Sequence, residues 1–222
     1  MSNELFEIHR RMDEKIGSVV KTSDLDISRK LKKAETEEFL LPLMLGSNES
    51  HQDNETLVRH AKELGILEND SDSVRFCVVI SKFKDENQKA CTCEKHIEFI
   101  GNIVSKYYPC KTFVVYGRAV TLIVLTDDGE LSNLLELPLK EIVQTAKRLL
   151  NQSCTIGVSR EFTMLSNCCD AYFQAITARR YTSDGAGEVR FINDQERDAQ
   201  FEFDRAEKTA MLLEQLLNVG SA

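Results

Sequence analysis

Apolar residues recur along this chain at two spacings, and the change from one to the other separates helices from strands. The run KTFVVYGRAVTLIVLTDD, Lys111 to Asp128, holds two short apolar stretches. β-Branched and aromatic residues fit a pleated surface, so Phe113–Val115 and Val120–Leu125 are predicted strands. The four residues Tyr116–Ala119 form the turn between them, with Gly117 supplying the positive φ of a tight reversal. In the second strand both alternating sets, Val120, Leu122, Val124 and Thr121, Ile123, Leu125, are largely apolar. That strand is expected in the middle of a sheet, covered on both faces.

Helical spacing dominates before the hairpin. From Asn3 to Val20 the residues Leu5, Ile8, Met12, Ile16 and Val19 recur at steps of three and four between charged flanks. This narrow seam suits a helix that pairs with another helix or docks on the rest of the chain. A second helix, capped by Asp26 or Ser28, is predicted through Leu31, Ala34, Phe39, Leu40, Leu43 and Met44 to Gly46. Pro42 kinks it or marks its last turn. Ser47 to Asn54 reads as a polar linker, and Glu55 to Leu64 as a short helix stopped by Gly65.

After a polar loop at Asn69–Ser73, Val74–Ile80 reads as a strand and Phe83–Glu94 as a polar insertion. A helix follows from about Cys93 through Ile97, Ile100 and Val104 to Tyr107, ended by Pro109. Beyond the hairpin, Asp127–Glu130 is a turn. Pro138 is placed at the opening of a helix with the face Leu139, Ile142, Val143, Ala146, Leu149 and Leu150. Thr155–Val158 is a short strand, Asn167–Arg180 a helix, Glu188–Ile192 a last strand, and Ala206 to Leu217 a final helix. From Val74 the order is strand, helix, hairpin, helix, strand, helix, strand, which implies a mixed sheet with helices packed against it.

Composition narrows the functional classes. The chain has 222 residues, 42% of them hydrophobic, enough for a real core. A net charge of -8 argues against general nucleic-acid binding, which draws its affinity from cationic contacts to phosphate. No run of about 20 apolar residues suggests a membrane span and no secretory signal opens the chain, so a cytoplasmic location is expected. Seven cysteines cannot all pair and lie mostly within apolar patterns, as reduced thiols do.

Several stretches resemble the GGDEF-type nucleotide cyclase fold in its degenerate, GGDEF-like form, found between receiver and AraC-type DNA-binding domains of bacterial two-component response regulators. They are EEFLLPLMLG (37–46), KELGI (62–66), FCVVISKF (76–83), FVVYGRAVTLIVL (113–125), TIGVSREF (155–162), SNCCDAYFQAITARRY (166–181) and EVRFIND (188–194). The resemblance implies an α/β (α+β) fold with a mixed, nucleotide-cyclase-like sheet on a ferredoxin-like core. It divides the chain into a helical linker at 1–50 with possible coiled-coil dimerisation, a GGDEF-like domain at 51–197 and a C-terminal helix at 198–222. In an active cyclase the hairpin turn carries a glycine pair and acidic residues for phosphates and metal. Here it reads Tyr116, Gly117, Arg118, Ala119, without a carboxylate. The first strand of that family ends in an aspartate, where Ser81 stands here. Magnesium requires hard oxygen ligands and phosphoryl chemistry depends on the ion, so the resemblance implies a noncatalytic module, not an enzyme, with no cofactor and no metal.

Other candidates have plainer readings. Cys91, Cys93 and His96 form C-x-C-x2-H, a partial soft-metal set lacking a fourth ligand. Cys168 and Cys169 are adjacent, a spacing that disfavours a mutual disulfide, and one of them is expected in the core. Asp127, Asp128 and Glu130 around Gly129 are written like an acidic turn. Arg179 and Arg180 close a helix, where positive charge meets the negative end of the dipole. The expected function is signal transmission and dimerisation within a two-component transcription regulator. Its partners would be a second copy and, in the parent chain, receiver and AraC-type DNA-binding domains, with no direct nucleic-acid contact by this segment. The alternative is a small-molecule or nucleotide sensor whose ligand site is Tyr116, Gly117 and Arg118 in the remnant cleft.

Overall fold

The computed structural model describes residues 27–28, 30–46, 53–67, 74–180 and 189–194. The seam at Leu5–Val19 and the helix expected at Ala206–Leu217 lie outside the described residues. The chain divides into two compact units, Met1–Leu41 and Pro42–Ala222. Residues 30–45 are helical (α1), with Pro42 inside the helical run. Within the first unit, the Thr36 hydroxyl donates to the Lys32 carbonyl at 2.8 Å.

The second unit is an α+β structure with a five-stranded mixed sheet. After α2 (Asn54–Glu63) come β1 (Arg75–Lys84), α3 (Glu94–Val104), β2 (Cys110–Val115), β3 (Arg118–Leu125), α4 (Leu131–Thr145), β4 (Ser153–Val158), α5 (Cys168–Arg180) and β5 (Val189–Phe191). The strand order is β2-β3-β1-β4-β5. β1 is antiparallel to both β3 and β4, β2 is antiparallel to β3, and β5 is parallel to β4. Strands β1 and β2 therefore run the same way with β3 between them, and β3 and β4 run the same way with β1 between them. These are two interlocked split βαβ units.

The alternation of side chains assigns each face. Cys77, Val79 and Phe83 of β1, Ala119 and Ile123 of β3, and Cys154, Ile156 and Val158 of β4 pack with α3 and α4 in one core. The opposite face meets α5, which lies across β4 and β1. A Cβ on Gly157 would stand 2.5 Å from the Arg179 backbone nitrogen and 2.6 Å from the Arg179 Cβ, and would collide with the Ala175 carbonyl. Only glycine admits this approach, and Ala171, Ala175 and Ala178 thin the facing side of α5. Covered on both faces, β1 and β3 are almost wholly buried, which explains their unbroken apolar runs.

Several boundaries differ from the sequence reading. β1, expected to end at Ile80 before a polar insertion from Phe83, runs on to Lys84 with Phe83 fully buried in the core. The hairpin turn is two residues, not four: Tyr116 and Gly117 have φ of 47° and 70°, and Arg118 already pairs with Val115 as the first residue of β3. Two consecutive left-handed residues match the right-handed strand twist better than a wider turn. Pro138 does not open α4 but lies in its eighth position, because Leu131 and Leu135 extend the buried stripe one turn and more upstream. A proline there leaves the Leu134 carbonyl without an intrahelical donor, and the Tyr108 hydroxyl donates to it at 3.2 Å. Finally, Leu149 is 67% exposed and Leu150 is exposed as well. Residues Ala146–Leu150 form a π turn ending at Asn151 in the left-handed region, and the wider turn rotates them off the buried stripe.

The serine of TIGVS also has a structural task. Its hydroxyl accepts the Val78 N–H at 2.9 Å while its own N–H donates to the Val78 carbonyl at 3.0 Å. Phe162 and Phe76 then exchange backbone bonds, so Ser159 holds the β1–β4 ladder together across a bulge.

Candidate functional site

The hairpin turn lies at one end of the sheet, and the strand register decides what surrounds it. Ser81 pairs with Ala119, two residues past Gly117, so the two positions compared with cyclase ligands are neighbours. Ser81 is fully buried on the face shared by α3 and α4. Gly117 opens onto free space, and Tyr116 is 76% exposed.

Arg118 points to the other face. Ile80, Val120, Gly157 and Arg190 form one cross-strand row under α5. In the next row Lys82 pairs with Thr155, and Arg118 flanks Lys82 one step beyond the Ser81–Ala119 pair. Arg179 approaches the sheet at Gly157. Lys82, Arg118, Arg179 and Arg190 thus lie on the α5 side of the sheet, spread from β3 to β5, each half-buried. Beneath them Thr155 is 3% exposed, and its Oγ1 has no hydrogen-bond partner among the described residues.

Arg118 also faces the phenol of Tyr172 on α5. Burial pushes the Tyr172 hydroxyl up from its ordinary range, while the charge and hydrogen bond of Arg118 pull it down. Of the three residues expected at the site, only Arg118 lies beneath α5, while Tyr116 and Gly117 cap the hairpin in solvent. Lys82, Thr155, Tyr172 and Arg190 were missed. The alternation of Ile80 and Lys82 placed the lysine on a definite face, but the register that sets it beside Arg118 is tertiary information. Lys82, Arg179 and Arg190 each have interactions of their own, so what the register gives is a basic face rather than a set of free cations.

The remaining candidates resolve as follows. Asp127 and Asp128 belong to a loop clamped by Arg75, whose guanidinium donates to the Asp127 carbonyl, lies 3.7 Å from the Asp128 carboxylate and bonds Glu161 at 2.8 Å. Cys168 is buried and Cys169 is not, and both are free thiols. Arg180 is exposed at the end of α5. Cys91, Cys93 and His96 do not make a metal centre: among the described residues, no three His, Cys, Asp or Glu side chains gather to hold an ion. Nor, among those residues, is any helix long and apolar enough to cross a membrane.

The fold and register define an α+β protein with a mixed five-stranded sheet carrying helices on both faces. No protein-family model and no curated protein match the chain.

Proposed function

We propose that this chain is a noncatalytic, GGDEF-like regulatory module, transmitting a signal through dimer geometry within a bacterial two-component transcription regulator. The observation that carries this reading is the pairing of Ser81 with Ala119 beside the Tyr116–Gly117 turn. In the split βαβ arrangement of a nucleotide cyclase, the strand end and the hairpin supply metal-binding carboxylates, and here neither does. Without a carboxylate pair, a magnesium-bound triphosphate lacks its hard-oxygen grip. Ile27 and Leu31, both large apolar side chains and both exposed, are consistent with helix pairing near the N-terminal end. Light scattering of the chain with and without residues 1–21 tests the reading: a dimeric mass that falls to monomer on truncation is expected, and equal monomeric masses would overturn it.

A second reading, a small-molecule or nucleotide sensor with its site at Tyr116, Gly117 and Arg118, is favoured by Arg118 standing beside the hairpin turn and facing the Tyr172 phenol. A thermal-shift screen with guanine nucleotides distinguishes it. At a hundredfold excess over Kd a ligand stabilises by about 2.7 kcal/mol, and the gain should vanish in Arg118→Ala. Flat curves in the unsubstituted chain remove this reading.

A further inference from the structure

The connection from β1 into α3 contains an arrangement remote in sequence from the hairpin turn. Cys93 is exposed and caps the N-terminus of α3. Its Sγ lies 3.2 Å from His96 Nδ1, and its backbone N–H donates to the same nitrogen at 3.0 Å. The other ring nitrogen, Nε2, lies 2.7 Å from Gln152 Oε1. An amide oxygen can only accept, so Nε2 carries the hydrogen and Nδ1 keeps its lone pair. The imidazole is held in this pose: it is 5% exposed and its centroid is 4.1 Å from that of Phe83. The backbone N–H of His96 also points at the Cys93 sulfur, as the reciprocal half of the cap.

A solvent-facing sulfur, a base within hydrogen-bond reach and a third group orienting that base are the parts of an activated nucleophile. The other six thiols differ. Cys77, Cys154 and Cys168 are buried, Cys110 and Cys169 are half-buried and pushed up by burial, and Cys91, two residues away, is pushed up by burial and by the Asp85 carboxylate.

We propose that Cys93 is a reactive thiol that forms a reversible mixed disulfide with small soluble disulfides, with His96 as its base and Gln152 as the positioning residue. His96 Nδ1 takes the thiol proton and the Cys93 sulfur attacks one sulfur of the disulfide. The new S–S bond forms as the old one breaks. The departing thiolate then takes the proton from the imidazolium. Protein thiol and disulfide become protein mixed disulfide and one free thiol, so Cys93 is oxidised and the released half is reduced. The reaction needs access of a small disulfide to the thiol, and Cys93 is an exposed residue.

Incubating the full chain with oxidised glutathione and mapping adducts by peptide mass tests the assignment, with Cys91 as the internal reference. Cys93 should be modified at least about tenfold faster than Cys91, the order expected from a positioned base, and dithiothreitol should reverse the adduct. His96→Asn keeps an acceptor for the cap but removes the base, and should bring Cys93 down to the Cys91 rate. Should that variant not fold, Gln152→Leu carries the test, since it frees the ring and should slow modification, while Gln152→Glu should restore it. Equal Cys93 rates in the unsubstituted chain, Gln152→Leu and Gln152→Glu would show a helix cap and nothing more.

Discussion

Gly157 concentrates the packing problem of this sheet in one residue. The missing side chain lets α5 lie against β4 at backbone distance, and the atoms in the way are the Ala175 carbonyl and the Arg179 backbone nitrogen, which a rotamer change cannot move aside. Gly157→Ala should therefore destabilise by about 1–3 kcal/mol, the usual cost of overpacking a filled interior. Gly101 in α3 is the contrasting case, because its nearest foreign atom to an added Cβ is Thr112 Oγ1 at 3.9 Å. Gly101→Ala should stabilise by roughly 0.5–1 kcal/mol through helix propensity alone. Urea midpoints measured for both variants check the pair, and shifts of the same sign would refute the packing account.

At the scale of elements, α4 carries an internal proline whose cost is partly met from a neighbouring segment. Pro138 cannot donate to the Leu134 carbonyl, and Tyr108, just after α3, supplies the missing hydrogen bond. Leaving a fully buried carbonyl unsatisfied costs about 1–3 kcal/mol, and this one is half-buried, so Tyr108→Phe should destabilise by about 1 kcal/mol in the native chain. In a Pro138→Ala background the helix supplies its own donor, and the same substitution should cost much less. A double-mutant cycle on denaturant stability measures the coupling. A coupling near zero would mean that Tyr108 contributes through packing alone.

The same two elements show how much of the architecture was legible beforehand. The apolar runs of β1 and β3 are long and flanked by turn residues, so both strands and their burial on two faces could be read from spacing. The order of elements from Val74 to Ile192 could be read as well. The start of α4 could not, since a proline is ordinarily best accommodated in a first turn. Nothing local announced that a tyrosine from another segment would bond the carbonyl the proline leaves without a donor. Likewise Leu149 and Leu150 continue a helical apolar pattern in one dimension, and only the π turn rotates them outward.

For the whole molecule, the buried thiols tie stability to pH. Burial pushes Cys110 up to about 11 and Cys168 up to about 12, and pushes Cys77 and Cys154 up strongly as well. An unfolded thiol ionises at about 8.5. Between that value and the folded ones, the native state holds protons that the unfolded state has released. This contribution to stability is fully present below about pH 8.5 and is lost as pH rises toward the folded values, by up to about 1.4 kcal/mol per pH unit for each thiol. Urea midpoints should be level from pH 7 to 8 and fall between pH 9 and 10.5. Cys154→Ala should lower stability at pH 7 through its cavity yet give a shallower alkaline decline. An unchanged slope would rule Cys154 out as a contributor.

What the amino-acid order settled by itself was the alternation of strand and helix, the two-sided burial of the central strands and the absence of acidic residues from the hairpin turn. Each follows from side-chain period or residue identity, which are local properties. What only the tertiary structure decided was which residues share a face at the end of the sheet: Lys82 beside Arg118, Arg190 beside Gly157, and Gln152 against His96. Those neighbours are distant in sequence and are brought together by strand register and crossover, where one residue of slip would turn each strand side chain to the opposite face.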